Sequence, residues 1–192
     1  MRRMGIPRLE LEQLPTELAA ALHPRVQRLG YLGEFFKCAA QQPAALLSFM
    51  RFTDDLKGAL PDNVSEVVAL TVAVWSGNTY ERNQHEQLAR KLGFSAEWTR
   101  AVETLRPDEV RMAETERQVQ RFVLAVLNAH GHGVQAQLDA VIGTFGAAQA
   151  VAVLLLIGRY VTHALFVNAL QLAPPVPSTF DEPTDAITDE HR

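Results

Sequence analysis

Two segments of this chain, Val64–Trp75 and Ala147–Leu170, are apolar nearly all the way round a helix. A helix with no polar face has no side to offer water, so other elements must cover each of them on several sides. Pro61 and the Asp62–Asn63 pair open the first segment, and Ser76–Gly77 closes it. Val119, Phe122, Val123, Val126 and Leu127 then recur at i, i+3, i+4, i+7 and i+8, the spacing of an amphipathic helix. That segment enters at Pro107–Asp108 and stops at the glycines of "NAHGHG". Shorter helical stretches fit Pro15–Leu29, Leu32–Gln41, Ala44–Leu56, Ser95–Leu105 and Val134–Phe145. No run alternates strictly between turn residues, and no segment repeats at a fixed period. The expectation is an all-α fold.

The chain's 192 residues suffice for one domain with a sizeable core. The formal net charge is −4 and no basic patch stands out, so nucleic acid is not an expected partner. "MRRMGIPRLELEQLP" has two arginines without a following apolar segment and does not read as a secretory leader. The most apolar run, Ala147–Ile157, is followed by Gly158 and Arg159; it is too short to span a bilayer and reads as a buried core helix. The one cysteine, Cys38, excludes an internal disulfide and fits a reducing cytoplasm; beside Phe35 and Phe36 it reads as a buried, inert thiol. From Pro174 onward the sequence is rich in proline and acid, as expected of a flexible or surface-draped tail. The expected division is an N-terminal helical arm (1–28), a helical domain (29–173) and a tail (174–192).

Between the two apolar segments lies "GNTYERNQHEQLARKLG", Gly77 to Gly93. An Asn with a Glu three residues on is a capping-box pattern, which accounts for Asn78 and Glu81 as a helix start. It does not account for His85. Seven residues on, His85 lies about 20° from Asn78 on the same face, two turns along, with Glu81 one turn along and about 60° to the side. Glu66 precedes Asn78 by twelve residues, among Val64, Val67, Val68, Leu70 and Val72. A carboxylate there needs a partner or a raised pKa, unless it caps with Asn63, which has the same N-x-x-E spacing.

The spacing of Glu66, Asn78, Glu81 and His85 resembles that of the carboxymuconolactone decarboxylase and AhpD-like alkylhydroperoxidase superfamily. Its peroxidase members carry E-x11-C-x-x-C-x-x-x-H, and its decarboxylase members a sequence like "NCEYEWxxHxxxAxxxG". Here Tyr80, Glu81, His85, Ala89 and Gly93 fall in place. The flanks "ALPDNVSEVVALTVA", "GFSAEWTRAV" and "LLIGRYVTHALFVNALQL" are similar too, and the resemblance runs over Leu29–Pro177. It implies an AhpD-like helical domain that assembles as a trimer or hexamer. The two peroxidase cysteines fall at Asn78 and Glu81, so dithiol peroxidase turnover is not available there.

What the resemblance implies instead is a cysteine-independent decarboxylase, lyase or isomerase acting on a small lactone, keto acid or phenolic acid, with no metal or organic cofactor. His85, Glu81 and Glu66 are its expected catalytic residues. An imidazole is suited to giving or taking a proton, and a carboxylate beside it to orienting the ring. Asn78 and the free N–H groups of the helix start could hold an anionic oxygen. Arg82 or Arg106 is the expected anchor for a substrate carboxylate, with Trp75 and Tyr80 as pocket walls. Two other readings stand beside this one: a binding or scaffold protein that kept the fold without the chemistry, and a peroxidase working through Cys38. His130 and His132 around Gly131 lack a third ligand nearby and read as a helix-ending loop, not a metal site. His163, one turn from Arg159, is structural or faces the pocket or a subunit contact.

Overall fold

A computed structural model describes residues 5–181. Among them there is no strand. Eight α-helices follow a short 3₁₀ turn: α1 (Thr16–Leu29), α2 (Glu34–Ala39), α3 (Pro43–Gly58), α4 (Asp62–Trp75), α5 (Thr79–Lys91), α6 (Ala96–Glu103), α7 (Glu114–Asn128) and α8 (Gln135–Leu170). The chain is all-α, as its periodicity requires. The α7 boundary differs from expectation: Pro107–Asp108 does not start the helix, which begins at Glu114 after a turn. Glu116 caps it by accepting the Ala113 amide at 3.1 Å.

The apolar helix α4 is the axis of the fold. Every residue from Val64 to Ala73 is buried, and α5, α7 and α8 pack around it. Val67, Val68, Leu70, Phe122, Val123 and Leu156 meet in the main core. Each such side chain contributes about 1.5–3 kcal/mol on burial. A second cluster forms where α1, α2 and α3 meet the end of α8, around Leu18, Leu22, Phe35, Met50, Tyr80 and Val167.

Val134–Phe145 and Ala147–Leu170, read above as separate helices, meet at Gly146, whose φ of 81° and ψ of 165° break helical geometry. Only glycine adopts that backbone without strain. The expectation that the second segment is covered on several sides holds for one face only. Ala152, Val153, Leu156, Ile157 and Tyr160 are buried, whereas Val151, Leu154, Leu155 and Leu165 are exposed, Leu165 by 68%. The helix is apolar on both sides, but α3, α4 and α7 cover one. By length and composition alone, Gln135–Leu170 would also suffice to cross a membrane.

The start of the expected flexible tail is anchored. Residues 176–180 run across α5 and α6 as a strap, held by hydrogen bonds to Asn83, Glu86 and Gln87. The buried Glu86 acceptor and the amide donors of Asn83 and Gln87 on α5 supply what its proline-rich composition lacks. The rest of that expected tail, 182–192, lies outside the described residues.

Candidate active site

Helix α5 is polar in composition yet buries Tyr80, Glu81, Asn83, His85, Glu86 and Ala89. Polar side chains taken into an interior need partners; Glu81 and His85 find them on α8 and α4, and Asn83 and Glu86 on the strap. Asn78 caps the helix as expected: its Oδ1 accepts the Glu81 amide at 3.1 Å. The other half of the capping box is absent, because the Glu81 carboxylate turns to α8 and accepts from Arg159 Nη1 at 2.6 Å.

His85 meets Glu66. Its Nδ1 lies 2.6 Å from Glu66 Oε2 and is the donor, since a carboxylate only accepts. Glu66 therefore does not cap α4. Asn63 instead donates to Glu116 at 3.0 Å. Glu66 is 1% exposed. Burial would push its carboxyl up, but His85, by charge and hydrogen bond, and then Lys57, 3.5 Å away, outweigh this and hold it below the ordinary range. The His85 ring stands edge-on to Tyr160, centroids 5.3 Å apart. With Nδ1 committed, Nε2 has no hydrogen-bond partner among the described residues. It is not sealed either, for His85 keeps 7% exposure.

Glu81 sits among cationic groups. Burial would raise its carboxyl; His163, Arg159 and His85 together pull it down to about 2. His163 is itself lowered to about 4, first by burial and then by Arg159 and His85, against the pull of Glu81. At neutral pH its imidazole is uncharged, and Asn78 Nδ2 donates to its Nδ1 at 3.4 Å. Arg159 thus carries the neutralisation of Glu81. It also donates from Nε to Thr53 Oγ1 at 3.1 Å, and its guanidinium lies 4.3 Å from the Tyr160 ring centroid and 5.0 Å from that of Phe49. Its Nη2 has no partner among the described residues and is not sealed.

Glu66, Asn78, Tyr80, Glu81 and His85 are therefore brought together. Tyr80 walls the group on the α2 side, its hydroxyl facing the Phe35 amide at 3.4 Å. Three expected members stand elsewhere. Trp75 is 41% exposed and donates to Asn128, because it ends α4 on the outside of the bundle. Arg82 turns to the opposite side of α5 and pairs with Glu86 at 3.1 Å. Arg106 lies on the surface beyond α6, paired with Glu109. Asn78 spends Oδ1 on the Glu81 amide and one Nδ2–H on His163, and at 1% exposure it is turned inward, with one N–H left for an anionic oxygen. Arg159 was not among the expected site residues. The signal for it was the Arg159–x3–His163 pair, two polar residues one turn apart in a helix otherwise apolar all round.

The fold is that of the AhpD-like proteins. No family model matches the sequence, and no curated protein matches it. Solved structures do match in shape. An uncharacterized peroxidase-related protein from Ralstonia eutropha JMP134, an alkylhydroperoxidase AhpD core, superposes with a TM-score of 0.77 at 16% identity, over 91% of this chain and 94% of that one. A peroxidase-related protein from Silicibacter sp. TM1040 gives 0.74 at 17% identity, over 91% and 95%. The debrominase Bmp8 gives 0.73 at 16% identity, over 91% and 93%.

Proposed function

We propose that this protein is an acid–base enzyme that works without a cysteine, a lyase, decarboxylase or isomerase acting on a small carboxylate such as a keto acid, a phenolic acid or a lactone. The observation that carries this reading is the His85–Glu66 pair, Nδ1 locked and Nε2 open. A histidine held in this way has one tautomer and one working nitrogen. Nε2 takes or delivers the proton, and Glu66 stabilises the imidazolium while it exists. Arg159 takes the place expected of Arg82 or Arg106. It packs on the same Tyr160 ring as His85 and has no partner at Nη2 among the described residues, which makes it the group to receive a substrate carboxylate. The peroxidase reading has no support here: Cys38 is 2% exposed, and burial raises its thiol.

One observation favours the reading as a binding or scaffold protein: Glu81 is already neutralised by Arg159, and Asn78 and His163 close the ring around it. A turnover screen over lactones, keto acids and aromatic acids separates the two. Under the enzymatic reading His85→Gln reduces turnover by about 10²–10⁴-fold with binding retained. A ligand that raises the melting temperature but is never converted by wild type would replace that reading with the binding one. We further propose that copies of the chain associate through the exposed apolar face of α8, because a patch of Val151, Leu154, Leu155 and Leu165 is costly to leave in water.

A further inference from the structure

Glu86 follows His85 in the chain, faces away from the site, and has no part in the chemistry above. Its side chain is wholly buried. Oε2 accepts three hydrogen bonds from the strap: Ser178 Oγ at 2.5 Å, the Thr179 amide at 2.6 Å and Thr179 Oγ1 at 3.2 Å. Asn83 and Gln87, on the same side of α5, donate to the carbonyls of Val176 and Pro177. Arg100 of α6 covers the Phe180 ring at 4.5 Å. The strap thus presses on the back of the helix whose front carries Asn78, Glu81 and His85.

The other oxygen of Glu86 is the unusual one. Oε1 lies 3.1 Å from Arg82 Nε, without the alignment of a hydrogen bond, and Glu103 of α6 brings a second carboxyl against Glu86. Glu86 Oε1 and Glu103 Oε1 are both sealed from water, and neither has a donor. With both groups charged these two oxygens would repel with no donor between them, so the arrangement favours a proton on one of them. Burial, then the charge and hydrogen bond of Glu86, push the Glu103 carboxyl up to about 7, against Arg82 and Arg100.

We propose that the Glu86–Glu103 carboxyl pair is a proton-gated clamp, which holds residues 176–180 against α5 and α6 and loosens them when the shared proton leaves. The charged groups around the pair are Arg82 and Arg90 on α5, Arg100 on α6, and Asp181 on the strap, which accepts the Ser178 amide. A cavity of about 240 Å³ lies beside Glu86, walled by Arg90, Phe94, Thr99 and the strap residues Thr179 and Phe180. Lifting the strap opens this cavity and hydrates Glu86, which weakens its hold on the Glu103 proton and returns Glu103 toward the ordinary carboxyl value. The closed form keeps its proton to about pH 7 and the open form loses it near 4.5. Closure is therefore strongest below pH 4.5. It weakens by up to about tenfold per pH unit from there to 7 and is level above 7.

The test is amide exchange at Thr179 and Phe180 in the full chain from pH 4.5 to 8, divided by the intrinsic exchange rate. In wild type, protection falls through the window by more than tenfold in total and then flattens. Glu103→Gln, which keeps the shape and a permanent donor toward Glu86, holds protection level across the range. A flat wild-type profile, or a Glu103→Gln profile falling in parallel with it, overturns the clamp. Should that variant not fold, a carbon-13 titration of the Glu103 carboxyl in wild type decides: a midpoint near 7 supports the clamp, and one near 4.5 overturns it.

Discussion

Helix α5 buries two carboxylates five residues apart, Glu81 on its inner face and Glu86 on its outer face, and the fold accommodates them in opposite ways. Glu81 is given a cation. Arg159 bonds it at 2.6 Å, and its carboxyl falls to about 2. Glu86 is given neutral donors from the strap and a second carboxyl, Glu103, whose own proton is held up to about 7. Burial pushes each carboxyl up; the cation beside Glu81 reverses that push, and the carboxylate beside Glu103 adds to it. On the inner face the Glu81 carboxyl stays ionised throughout the neutral range. The outer face changes its proton count within the range a cell experiences.

The sharpest way to break this contrast is to remove the inner cation. Arg159→Met leaves Glu81 buried and uncompensated and should cost about 3–5 kcal/mol, a melting temperature lower by on the order of 10 °C. Adding Glu81→Gln should recover part of that loss, and an additive double mutant would show that the two side chains act independently. The outer face responds less. Ser178→Ala removes one donor from a buried carboxylate and should cost about 1–3 kcal/mol in urea unfolding. The smallest effect belongs to His163. Its folded-state value of about 4 lies below the ordinary 6.5, so the unfolded chain binds the extra proton between those values, and stability falls as pH drops through that window. His163→Phe, set beside Phe35 at a centroid distance of 4.2 Å, should abolish that part of the acid slope, at a cost of about 1 kcal/mol at pH 8 for the acceptor that Asn78 loses. An unchanged slope would mean that His163 is charged in the folded protein.

The helices were legible because their apolar spacing is the same physics that packs them. The α4 axis, α5 and the break before Ala147 could all be read from Val, Leu, Gly and Asn positions alone. The shared stripe of Asn78, Glu81 and His85 was legible from helical geometry on α5; that Glu66 joins it was implied only by the family resemblance, because a cap with Asn63 fitted its spacing equally well. Arg159 was not, because its partner lies 78 residues away and no local pattern joins α5 to α8. Glu86 was hidden for a different reason. Arg82 and Glu86 stand at i and i+4, the spacing of an ordinary exposed ion pair, and nothing local shows that the strap returns to cover them. Residues 176–180 look unstructured because their order comes from donors and an acceptor on another helix.

Cys38, buried between α2 and the second core cluster, has a practical consequence. A chain whose sole thiol is shielded gives almost no background with maleimide dyes or spin labels. A single cysteine placed on the strap, at Thr179, and another on the exposed side of α5 would make a distance ruler across the outer face, readable in wild-type-like protein without first deleting a native residue.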